Sequence, residues 1–559
     1  MMNRRQLLGS ATIMAASFTL TAAAPVPGPA DAPRTYDAPA GKCTVAVIQA
    51  MVAADTVIES AAPTAAPVPH CRIDGYVTTT DPGPNKVRFR LQLPDKGFNG
   101  RFIMAGLGGA AGYVPTDMQI PNGNAILAGF AMAGTDTGHS GEMLDWSFIR
   151  DNPAQSVDYV HRGGHVSTVA MQKITRDYYA VQKLYRYHSG CSGGGRMGVQ
   201  AAERHPEDYD GILIGAPGRS TATMLMFMWA TKQMAREPGA WLSPAKLGLI
   251  EQKVTAQCDA LDGAKDSIVQ EPGKCHFKPE VLQCKGADGP DCLTAPEIRT
   301  FKAIAEGPKY PDGTRITGGM PITNTAAGWM SFLGAAPPPW PDSISLKDMA
   351  RTNAATIMGH VMSKAYFGPD FDYFRDFDFN NQKQFDAWWA AADRTGFGRP
   401  STADLSGVER ANTKIIWWHG VSDAGPTLDT TLGYFRDAQK SLGGSAARLD
   451  KVAKLYEVPG MLHCGSGTGP DDVPDQLLQT LIAWTEKGVR PGPVVTGRGP
   501  SRAHPIFADK NGPTTSGVLI PTSKGADRDF LLCPAPQVAR FNGKAGGEND
   551  AANWSCVKS

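Results

Sequence analysis

The glycine-rich turn at residues 190–194, which reads Gly-Cys-Ser-Gly-Gly, constrains the fold of this chain more than any other stretch of its sequence. It follows the strand-like run Leu184–His188 and precedes Met197–Arg204, which has the composition of a helix. In a G-x-S-x-G motif the flanking glycines allow a sharp turn that exposes the serine above a sheet, at the start of a helix. No other serine in the chain satisfies this pattern. The motif predicts Ser192 as a nucleophile, and an ordinary tight glycine turn is the alternative.

The segments around this turn alternate between strand-like and helix-like patterns. Lys86–Leu93 alternates apolar and polar residues, as in a strand with one solvated face. Phe102–Ala105 and Phe130–Ala133 are short apolar runs typical of buried parallel strands. Ser156–Ala180 carries apolar residues at helical spacing, and Gly211–Ile214 has the pattern of a further strand. This succession predicts an α/β fold with a doubly wound, mostly parallel sheet.

The character of the sequence changes after residue 218. The next stretch carries six tryptophans and four cysteines among Pro/Gly turns, without alternating strands and helices. Strand-like sequence returns at Lys414–Trp418 and Lys454–Val458, and an amphipathic helix is predicted at Leu477–Lys487. We therefore predict a hydrolase-type core formed by residues 35–218 and 406–559, with a large lid domain inserted at residues 219–405.

A serine nucleophile requires a base and an acid that orients this base. Asp423 follows the strand-like segment Lys414–Trp418, and His463 follows the next one. The chain order Ser192, Asp423, His463 is the order of α/β-hydrolases. His419 is the alternative base, although its position beside a glycine at a strand end favours a supporting role. His139 is interpreted as structural or pocket-lining.

The oxyanion of the reaction requires two backbone N–H donors. Gly193, directly after the nucleophile, is predicted to provide one. The other is expected from a glycine loop that follows an early strand, and residues 106–109 read Gly-Leu-Gly-Gly after Phe102–Ala105. We predict Gly108 as this donor, with Gly109 as the nearest alternative. The competing interpretation is a flexible loop without this role.

The first residues have the pattern of an export signal. Met1–Arg5 is basic, and Leu7–Ala24 is apolar or small, without charge, and is followed by prolines. We predict that residues 1–24 are a removable signal peptide; the Arg4-Arg5 pair favours the twin-arginine route. A membrane anchor is the alternative. The predicted location is secreted or periplasmic, where the ten cysteines should be paired.

Composition excludes several classes of protein. With 55 basic and 54 acidic residues, the chain lacks the basic excess of nucleic-acid-binding proteins. A hydrophobic content of 42% excludes a disordered chain. No later stretch approaches ~20 uninterrupted apolar residues. We therefore expect no nucleic-acid partner and no membrane contact after signal removal. The sequence predicts no particular oligomeric state.

Five segments of the chain form a recognisable set: Asp136–His139, Ser189–Arg196, His205–Ile212, Val458–Cys464 and Asn549–Cys556. With these segments the chain resembles the tannase/feruloyl esterase family, from near Cys43 to its end. The resemblance implies an α/β-hydrolase-fold serine esterase without an organic cofactor. The family commonly has proline directly after the catalytic acid, whereas Ala424 follows Asp423 here; this departure concerns the shape of the loop rather than the triad.

The resemblance also implies how the cysteines pair, which composition alone leaves open. One implied bridge would join the residue before the nucleophile to the residue after the histidine, and so fix the distance between serine and base. The implied disulfides are Cys191–Cys464, Cys43–Cys71, Cys258–Cys275, Cys284–Cys292 and Cys533–Cys556.

The resemblance further implies a structural Ca²⁺ in the lid, beside Cys258. Three carboxylates lie within a short, turn-rich stretch there, which suits a hard cation with oxygen ligands. An acidic surface loop is the alternative. The implied ligands are Asp259, Asp262, the Ala264 carbonyl, Asp266 and the Ile268 carbonyl.

The substrates that the resemblance implies are small esters of aromatic carboxylic acids. We favour feruloyl or other hydroxycinnamoyl esters over gallate esters, the tannase substrates, and over mono-esters of terephthalate. Arg351, Arg375 and Arg394 are candidates to bind the distal carboxylate of a terephthalate. A different class of protein, a non-catalytic calcium-stabilised exported binding protein, is the remaining alternative. Candidate pocket residues, each of which is also suited to ordinary core, are Met224, Met228, Trp229, Phe332, Trp340, Phe367, Phe374, Trp388 and Trp389.

Overall fold

A nine-stranded mixed sheet forms the centre of the protein in a computed structural model. The structure describes residues 34–110, 112–114, 125–218, 221–397, 402–499 and 527–559. The predicted signal peptide, residues 1–24, lies outside these residues. The strands of the sheet are β1 (Thr56–Thr64), β2 (His70–Thr79), β3 (Asn85–Pro94), β4 (Arg101–Gly106), β5 (Ala131–Thr135), β6 (Tyr185–Cys191), β7 (Gly211–Gly215), β8 (Lys414–Gly420) and β9 (Ala453–Val458).

The order of the strands is β1-β2-β3-β5-β4-β6-β7-β8-β9. β1, β2, β3 and β5 pair in antiparallel fashion, and the strands from β5 to β9 are parallel. The chain leaves β4 toward β5 on one side and later returns to place β6 on the other side. This reversal opens a crevice at the carboxyl ends of β4 and β6, where ligands bind in sheets of this kind.

Helices cover both faces of the sheet, and three two-stranded ribbons complete the described fold. The helices are α1 (Val45–Gln49), α2 (Phe148–Asp151), α3 (Pro153–Val157), α4 (Gly163–Tyr179), α5 (Gly193–Arg204), α6 (Thr221–Met234), α7 (Pro244–Cys258), α8 (Ala295–Glu306), α9 (Thr325–Leu333), α10 (Ala354–Phe367), α11 (Tyr373–Asp376), α12 (Gln382–Arg394), α13 (Ser406–Ala411), α14 (Leu428–Ser441), α15 (Ala446–Val452) and α16 (Val473–Lys487). The ribbons pair β10 (Met461–Leu462) with β11 (Gly465–Gly467), β12 (Val494–Arg498) with β13 (Arg528–Leu532), and β14 (Gln537–Phe541) with β15 (Trp554–Lys558).

The central strands are apolar on both faces because each face packs against helices. In β7, Ile212 and Ile214 belong to one core cluster and Leu213 belongs to the other. β8 repeats the pattern, with Ile415 and Trp417 on one side and Ile416 and Trp418 on the other side. Burial on both faces explains why these strands read as continuous apolar runs rather than alternating ones.

The predicted α/β-hydrolase fold class is confirmed, and each strand predicted from its pattern is present. The patterns do not predict β1 and β2. Most of β1 after Ile58 is exposed or half-buried because it lies at the edge of the sheet. In β2 the buried positions alternate from Cys71, but Gly75 and Thr79 are among them, which weakens the apolar pattern in the sequence.

The helix predicted at Ser156–Ala180 contains a π-turn at Asp158–Arg162, between α3 and α4. The carbonyl oxygens of Tyr159 and Val160 in this turn accept hydrogen bonds from the buried guanidinium of Arg196, each at 3.0 Å. The π-turn thus provides main-chain hydrogen-bond acceptors for Arg196, which belongs to α5.

Between β7 and β8, the described residues form the helices α6–α13 and contribute no strand to the nine-stranded sheet. Most of these helices share one hydrophobic core, which includes Phe227, Trp329 and Trp388 and extends to Trp146 and Tyr159 before β6. The division at residues 219–405 stays a prediction. No helix in the described part of the chain has the length and apolar character needed to span a bilayer.

Candidate active site

The turn after β6 places Ser192 at the N-terminus of α5 in a strained backbone conformation. Ser192 has φ 60° and ψ −119°, a backbone conformation that residues other than glycine rarely adopt. Its N–H donates to the carbonyl of Gly215 at 3.0 Å. A Cβ atom on Gly194 would lie 2.3 Å from the carbonyl oxygen of Gly106, so the turn sits directly on β4. Only glycine permits this approach of two backbones.

Asp423 and His463 form a hydrogen-bonded pair beside this turn. His463 Nδ1 lies 2.8 Å from Asp423 Oδ2, and Asp423 also accepts a hydrogen bond from Gly425 N at 2.8 Å. Burial acts to raise the pKa of the Asp423 carboxyl, but the neighbouring imidazoles and their hydrogen bonds hold it below its ordinary value. An ionised carboxylate on Nδ1–H leaves Nε2 of His463 free to accept a proton.

The Cys191–Cys464 disulfide joins the residue before Ser192 to the residue after His463. It links positions 273 residues apart and holds their Cα atoms at 5.9 Å. The sulfur of Cys464 lies 3.7 Å from His463 Nε2, so this nitrogen faces the disulfide. Ser192, His463 and both cysteines line one cavity.

His419, the alternative base, is fully buried, and its Nε2 lies 3.4 Å from Asp423 Oδ2. Its Nε2 donates to the carbonyl of Pro426 at 2.6 Å, and its Nδ1 lies 2.8 Å from Thr431 Oγ1. Because both ring nitrogens have partners, the imidazole braces the loop that carries Asp423. It does not line the cavity that contains Ser192.

The glycine loop after β4 lies against the nucleophile turn. Gly108, Gly109 and Gly193 all line the cavity, and a Cβ atom on Gly193 would lie 2.7 Å from Gly109 N. The hydroxyl of Tyr159 donates to the Gly109 carbonyl at 3.0 Å, and His139 Nε2 lies 2.5 Å from the Ala110 carbonyl oxygen. These two side chains fix the loop from which the second oxyanion donor is predicted.

Gly425, two residues after Asp423, is required by its close contact with an aromatic ring. A Cβ atom on Gly425 would lie 2.5 Å from the ring of Phe332, which comes from α9. The same ring packs edge-on against the imidazole of His463, with centroids 5.6 Å apart. Glycine at position 425 therefore makes room for an aromatic residue of the inserted helices beside the base.

The cavity has a volume of about 690 Å³, within the usual range for a small-molecule site. Of the nine predicted pocket residues, Met224 and Phe332 line it. The other seven do not; Trp388, for example, is fully buried in the helical core. Apolar lining residues that the sequence patterns do not identify are Met143, Leu144, Trp146, Tyr159, Phe227, Leu346, Met349, Met358 and Phe397.

The three arginines predicted as carboxylate-binding candidates do not line this cavity. Arg351 and Arg375 are exposed and pair with Asp348 and Asp376. Arg394 donates to the carbonyl of Tyr366. This expectation is therefore wrong for the described structure, because local surface partners take up these side chains.

Arg196 and Glu251 are the charged side chains among the described residues that line the cavity. Arg196 lies one helical turn after Ser192, stacks on the ring of Tyr159 at 4.1 Å and donates to two main-chain carbonyls. Glu251 Oε2 accepts a hydrogen bond from Ala326 N at 2.8 Å. No motif marks Glu251, since its role depends on how α7 packs against α9.

The three carboxylates of the loop implied to bind Ca²⁺ have protein partners, which are N–H groups of the loop itself and, for Asp266, also the guanidinium of Arg528. Asp259 Oδ1 accepts hydrogen bonds from the N–H groups of Asp266 and Ile268, and Asp262 Oδ1 accepts one from Ala264 N. Asp262 is buried, and its Oδ2 has no hydrogen-bond partner in the described structure. Burial, together with the charges of Asp266 and Asp259, raises the pKa of Asp262 to about 7. This donor set fits a hard divalent cation.

The structure contains the disulfides that the resemblance implies. Besides the bridge at the site, one lies near the N-terminal strands, two in the inserted region and one between the C-terminal ribbons. These four are Cys43–Cys71, Cys258–Cys275, Cys284–Cys292 and Cys533–Cys556.

A doubly wound sheet with a strained serine at a strand–helix turn, and an acid–histidine pair after later strands, defines the class of α/β-hydrolases. The family model described as "Tannase and feruloyl esterase" matches residues 71–557. The chain therefore belongs to the tannase and feruloyl esterase family, and it is a carboxylic ester hydrolase.

Similar proteins within this family carry different substrate names. A probable feruloyl esterase B-1 of Aspergillus fumigatus is 27% identical over 448 residues, which cover 75% of this chain and 77% of the relative. The mono(2-hydroxyethyl) terephthalate hydrolase of Piscinibacter sakaiensis is 29% identical over 553 residues, 87% of this chain and 85% of that one. The crystal structure of feruloyl esterase B from Aspergillus oryzae superposes with a TM-score of 0.72 at 22% identity, covering 92% of this chain and 99% of that one.

We predict that replacing both cysteines of the Cys191–Cys464 bridge by serine lowers kcat by about 100-fold, because small displacements of a base cost about this factor. The measurement is hydrolysis of a short-chain nitrophenyl ester at saturating substrate. The matched control replaces Cys284 and Cys292, which close a short loop distant in sequence, and should leave kcat within about twofold. A folded Cys191→Ser/Cys464→Ser variant with full kcat would contradict the role assigned to this bridge.

Proposed function

We propose that this chain is an exported serine esterase that hydrolyses feruloyl and related hydroxycinnamoyl esters. The observation that carries the proposal is that Ser192 and His463 line one mainly apolar cavity and that a disulfide joins their neighbours, Cys191 and Cys464. Asp423 is hydrogen-bonded to Nδ1 of the His463 imidazole. Serine, base and orienting acid are the groups that acyl transfer through a covalent intermediate requires.

Ser192 Oγ attacks the ester carbonyl while Nε2 of His463 accepts its proton. Asp423 keeps the Nδ1–H tautomer and stabilises the imidazolium that forms. The N–H groups of Gly193 and Gly108 stabilise the oxyanion of the tetrahedral intermediate. His463 then protonates the leaving alcohol, and the acid remains bound to Ser192 as an acyl ester.

Water completes the cycle by the reverse sequence of proton transfers. His463 accepts a proton from the attacking water, and the second tetrahedral intermediate collapses to release the aromatic acid. Ser192 regains its proton from His463. The reaction needs no organic cofactor.

The lining of the cavity supports a phenolic acid rather than an acid with a second carboxylate. Methionine and aromatic side chains suit an aromatic ring, and Glu251 has one oxygen without a protein partner among the described residues. A carboxylate accepts a hydrogen bond from a phenol but repels another carboxylate. Arg196, the other charged residue, is held beside the nucleophile by main-chain carbonyls. Gallate esters, which also carry phenols, are the second candidate substrates.

Export is supported by the N-terminal signal pattern and by five disulfides. Structural disulfides persist in oxidising compartments and are rare in the cytosol. We place the mature enzyme in the periplasm or outside the cell.

A structural Ca²⁺ in the inserted region is the remaining part of the proposal. Asp259, Asp262, Asp266 and the carbonyls of Ala264 and Ile268 would hold it. Bound there, the ion would neutralise Asp259 and Asp262, would share Asp266 with Arg528, and would crosslink the loop after α7. The unpartnered Oδ2 of buried Asp262 is the observation that supports this assignment.

We predict that Ser192→Ala and His463→Gln each lower kcat by about 10⁴-fold or more, because nucleophile and base act as one unit. His419→Gln, the control for the alternative base, should lower it by less than about 100-fold. The measurement is nitrophenol release from a short acyl ester. Activity that survives His463→Gln but not His419→Gln would overturn the assignment of the base. A wild-type rate equal to background would favour the non-catalytic binding protein.

We predict that kcat/KM falls in the order methyl ferulate, methyl gallate, mono(2-hydroxyethyl) terephthalate. Glu251→Gln should raise kcat/KM for the terephthalate mono-ester at least about 10-fold relative to methyl ferulate, since it removes one like charge from the cavity. Glu306→Gln, at an exposed surface pair with Lys309, is the matched control and should leave the ratio unchanged. A wild-type preference for the terephthalate mono-ester would contradict the proposed substrate class but not the triad.

We predict that removing Ca²⁺ with a calcium-selective chelator lowers Tm by about 5 °C or more, because the ion binds only the folded loop. Calorimetry with and without added Ca²⁺ measures the shift. Asp262→Asn should abolish the response, whereas Asp437→Asn, at an exposed surface pair, should retain it. An identical Tm with and without Ca²⁺ in the wild type would count against the ion.

A further inference from the structure

A second cavity, of about 20 Å³, lies between α4 and α5 and is lined by histidines. Four of the eleven histidines in the chain contribute to its wall, together with Asp208. A space of this size accommodates one water or one ion rather than an organic ligand. The four histidines are His161, His165, His188 and His205.

Three neighbouring segments supply these side chains. His161 lies in the π-turn and His165 in α4, one turn further along the same helical surface. His205 caps the C-terminus of α5, and Asp208 ends the short helical turn that follows it. The cluster therefore connects the helix that follows the π-turn with the end of the nucleophile helix.

The donor atoms of this cluster are close together. One ligand atom each from His165, His205 and Asp208 lies within 4.8 Å of the other two. His165 Nδ1 is 2.8 Å from Asp208 Oδ2. The ring centroids of His165 and His205 are 3.8 Å apart, and those of His161 and His205 are 6.2 Å apart.

Two ring nitrogens in this cluster are buried without a hydrogen bond in the described structure: His161 Nδ1 and His205 Nε2. A buried polar atom without a partner is costly, and native proteins rarely leave one unsatisfied unless a ligand or water completes it. His188 differs from them, because its Nε2 donates to the carbonyl of Gly194 at 3.0 Å.

We propose that His161, His165 and His205, together with Asp208, bind one divalent transition-metal ion of the Zn²⁺ type. Imidazoles and a carboxylate are the ligands that Zn²⁺ takes in proteins. The short distance between Asp208 Oδ2 and His165 Nδ1 places a carboxylate oxygen and an imidazole nitrogen within reach of one ion. The loop proposed to bind Ca²⁺, beside Cys258, offers oxygen ligands alone, so the two sites would select different ions.

Metal binding would separate the stacked rings of His165 and His205, which the 30% exposure of the His165 side chain allows. The ion would then join α4 to the end of α5. His188 extends this connection to Gly194 in the nucleophile turn. The site would therefore stabilise the helix on which the nucleophile is mounted, without touching the substrate.

The experiment uses the mature, untagged enzyme, treated with a chelator selective for transition metals in buffer that contains excess Ca²⁺ at pH 7.5. Titration with Zn²⁺ is followed by calorimetry, and Co²⁺ is added in parallel to report imidazole ligation by its visible absorption. We expect one equivalent of Zn²⁺ and a rise in Tm. His161→Phe and His205→Phe should each weaken binding at least about 10-fold.

His276→Ala, which removes an exposed histidine outside the cluster, is the matched control and should leave Zn²⁺ affinity unchanged. Ester hydrolysis by each variant in Ca²⁺ buffer, without Zn²⁺, verifies that the fold is retained. Absence of stoichiometric Zn²⁺ binding to the wild type would overturn the proposal. So would binding that active His161→Phe and His205→Phe variants retain at full affinity.

Discussion

The disulfide between Cys191 and Cys464 is the constraint on which the geometry of the site depends. Ser192 directly follows β6, whereas His463 follows β9, three strands away across the sheet and beyond the whole inserted region. Strand pairing fixes the positions of the strand ends, but the loops that carry Ser192 and His463 could still move relative to each other. A covalent bond between the immediate neighbours of Ser192 and His463 removes most of that freedom. Proximity catalysis depends on such a fixed distance.

The strained turn at Ser192 requires rigid supporting structure around it. Gly190, Gly194 and Gly106 bring two strand ends and the start of α5 into backbone contact, which no side chain would permit. Around this contact, Tyr159 and His139 hold the oxyanion loop by its carbonyl groups, and Arg196 bridges α5 to the π-turn. From the opposite side, Phe332 of the inserted helices contacts the His463 ring. The inserted region thus contacts the His463 imidazole and also lines the cavity.

The fold and the triad candidates could be predicted from the sequence because their signals are local. Ser192, Asp423 and His463 each follow a short apolar strand, and parallel strands bring such positions to one edge.

The cavity wall could not be predicted in this way. α6 and α10 are buried on almost all sides, so periodicity does not distinguish Phe227, which lines the cavity, from Met228, which does not. Arg351 and Arg375 are likewise bound by surface carboxylates a few residues away, and Glu251 reaches the cavity through the packing of two helices.

The central claim is that Ser192 is the nucleophile and that the Cys191–Cys464 disulfide joins its segment to the segment that contains His463. Covalent trapping tests this claim most directly. The enzyme is inactivated with a nitrophenyl phosphonate, digested without reduction and mapped by mass spectrometry. The account predicts one phosphonyl group per chain, on the peptide that contains Ser192. That peptide should be joined through Cys191 to the peptide that contains His463 and Cys464. A phosphonyl group on another residue, or a Ser192 peptide free of this crosslink in fully active enzyme, would contradict the account.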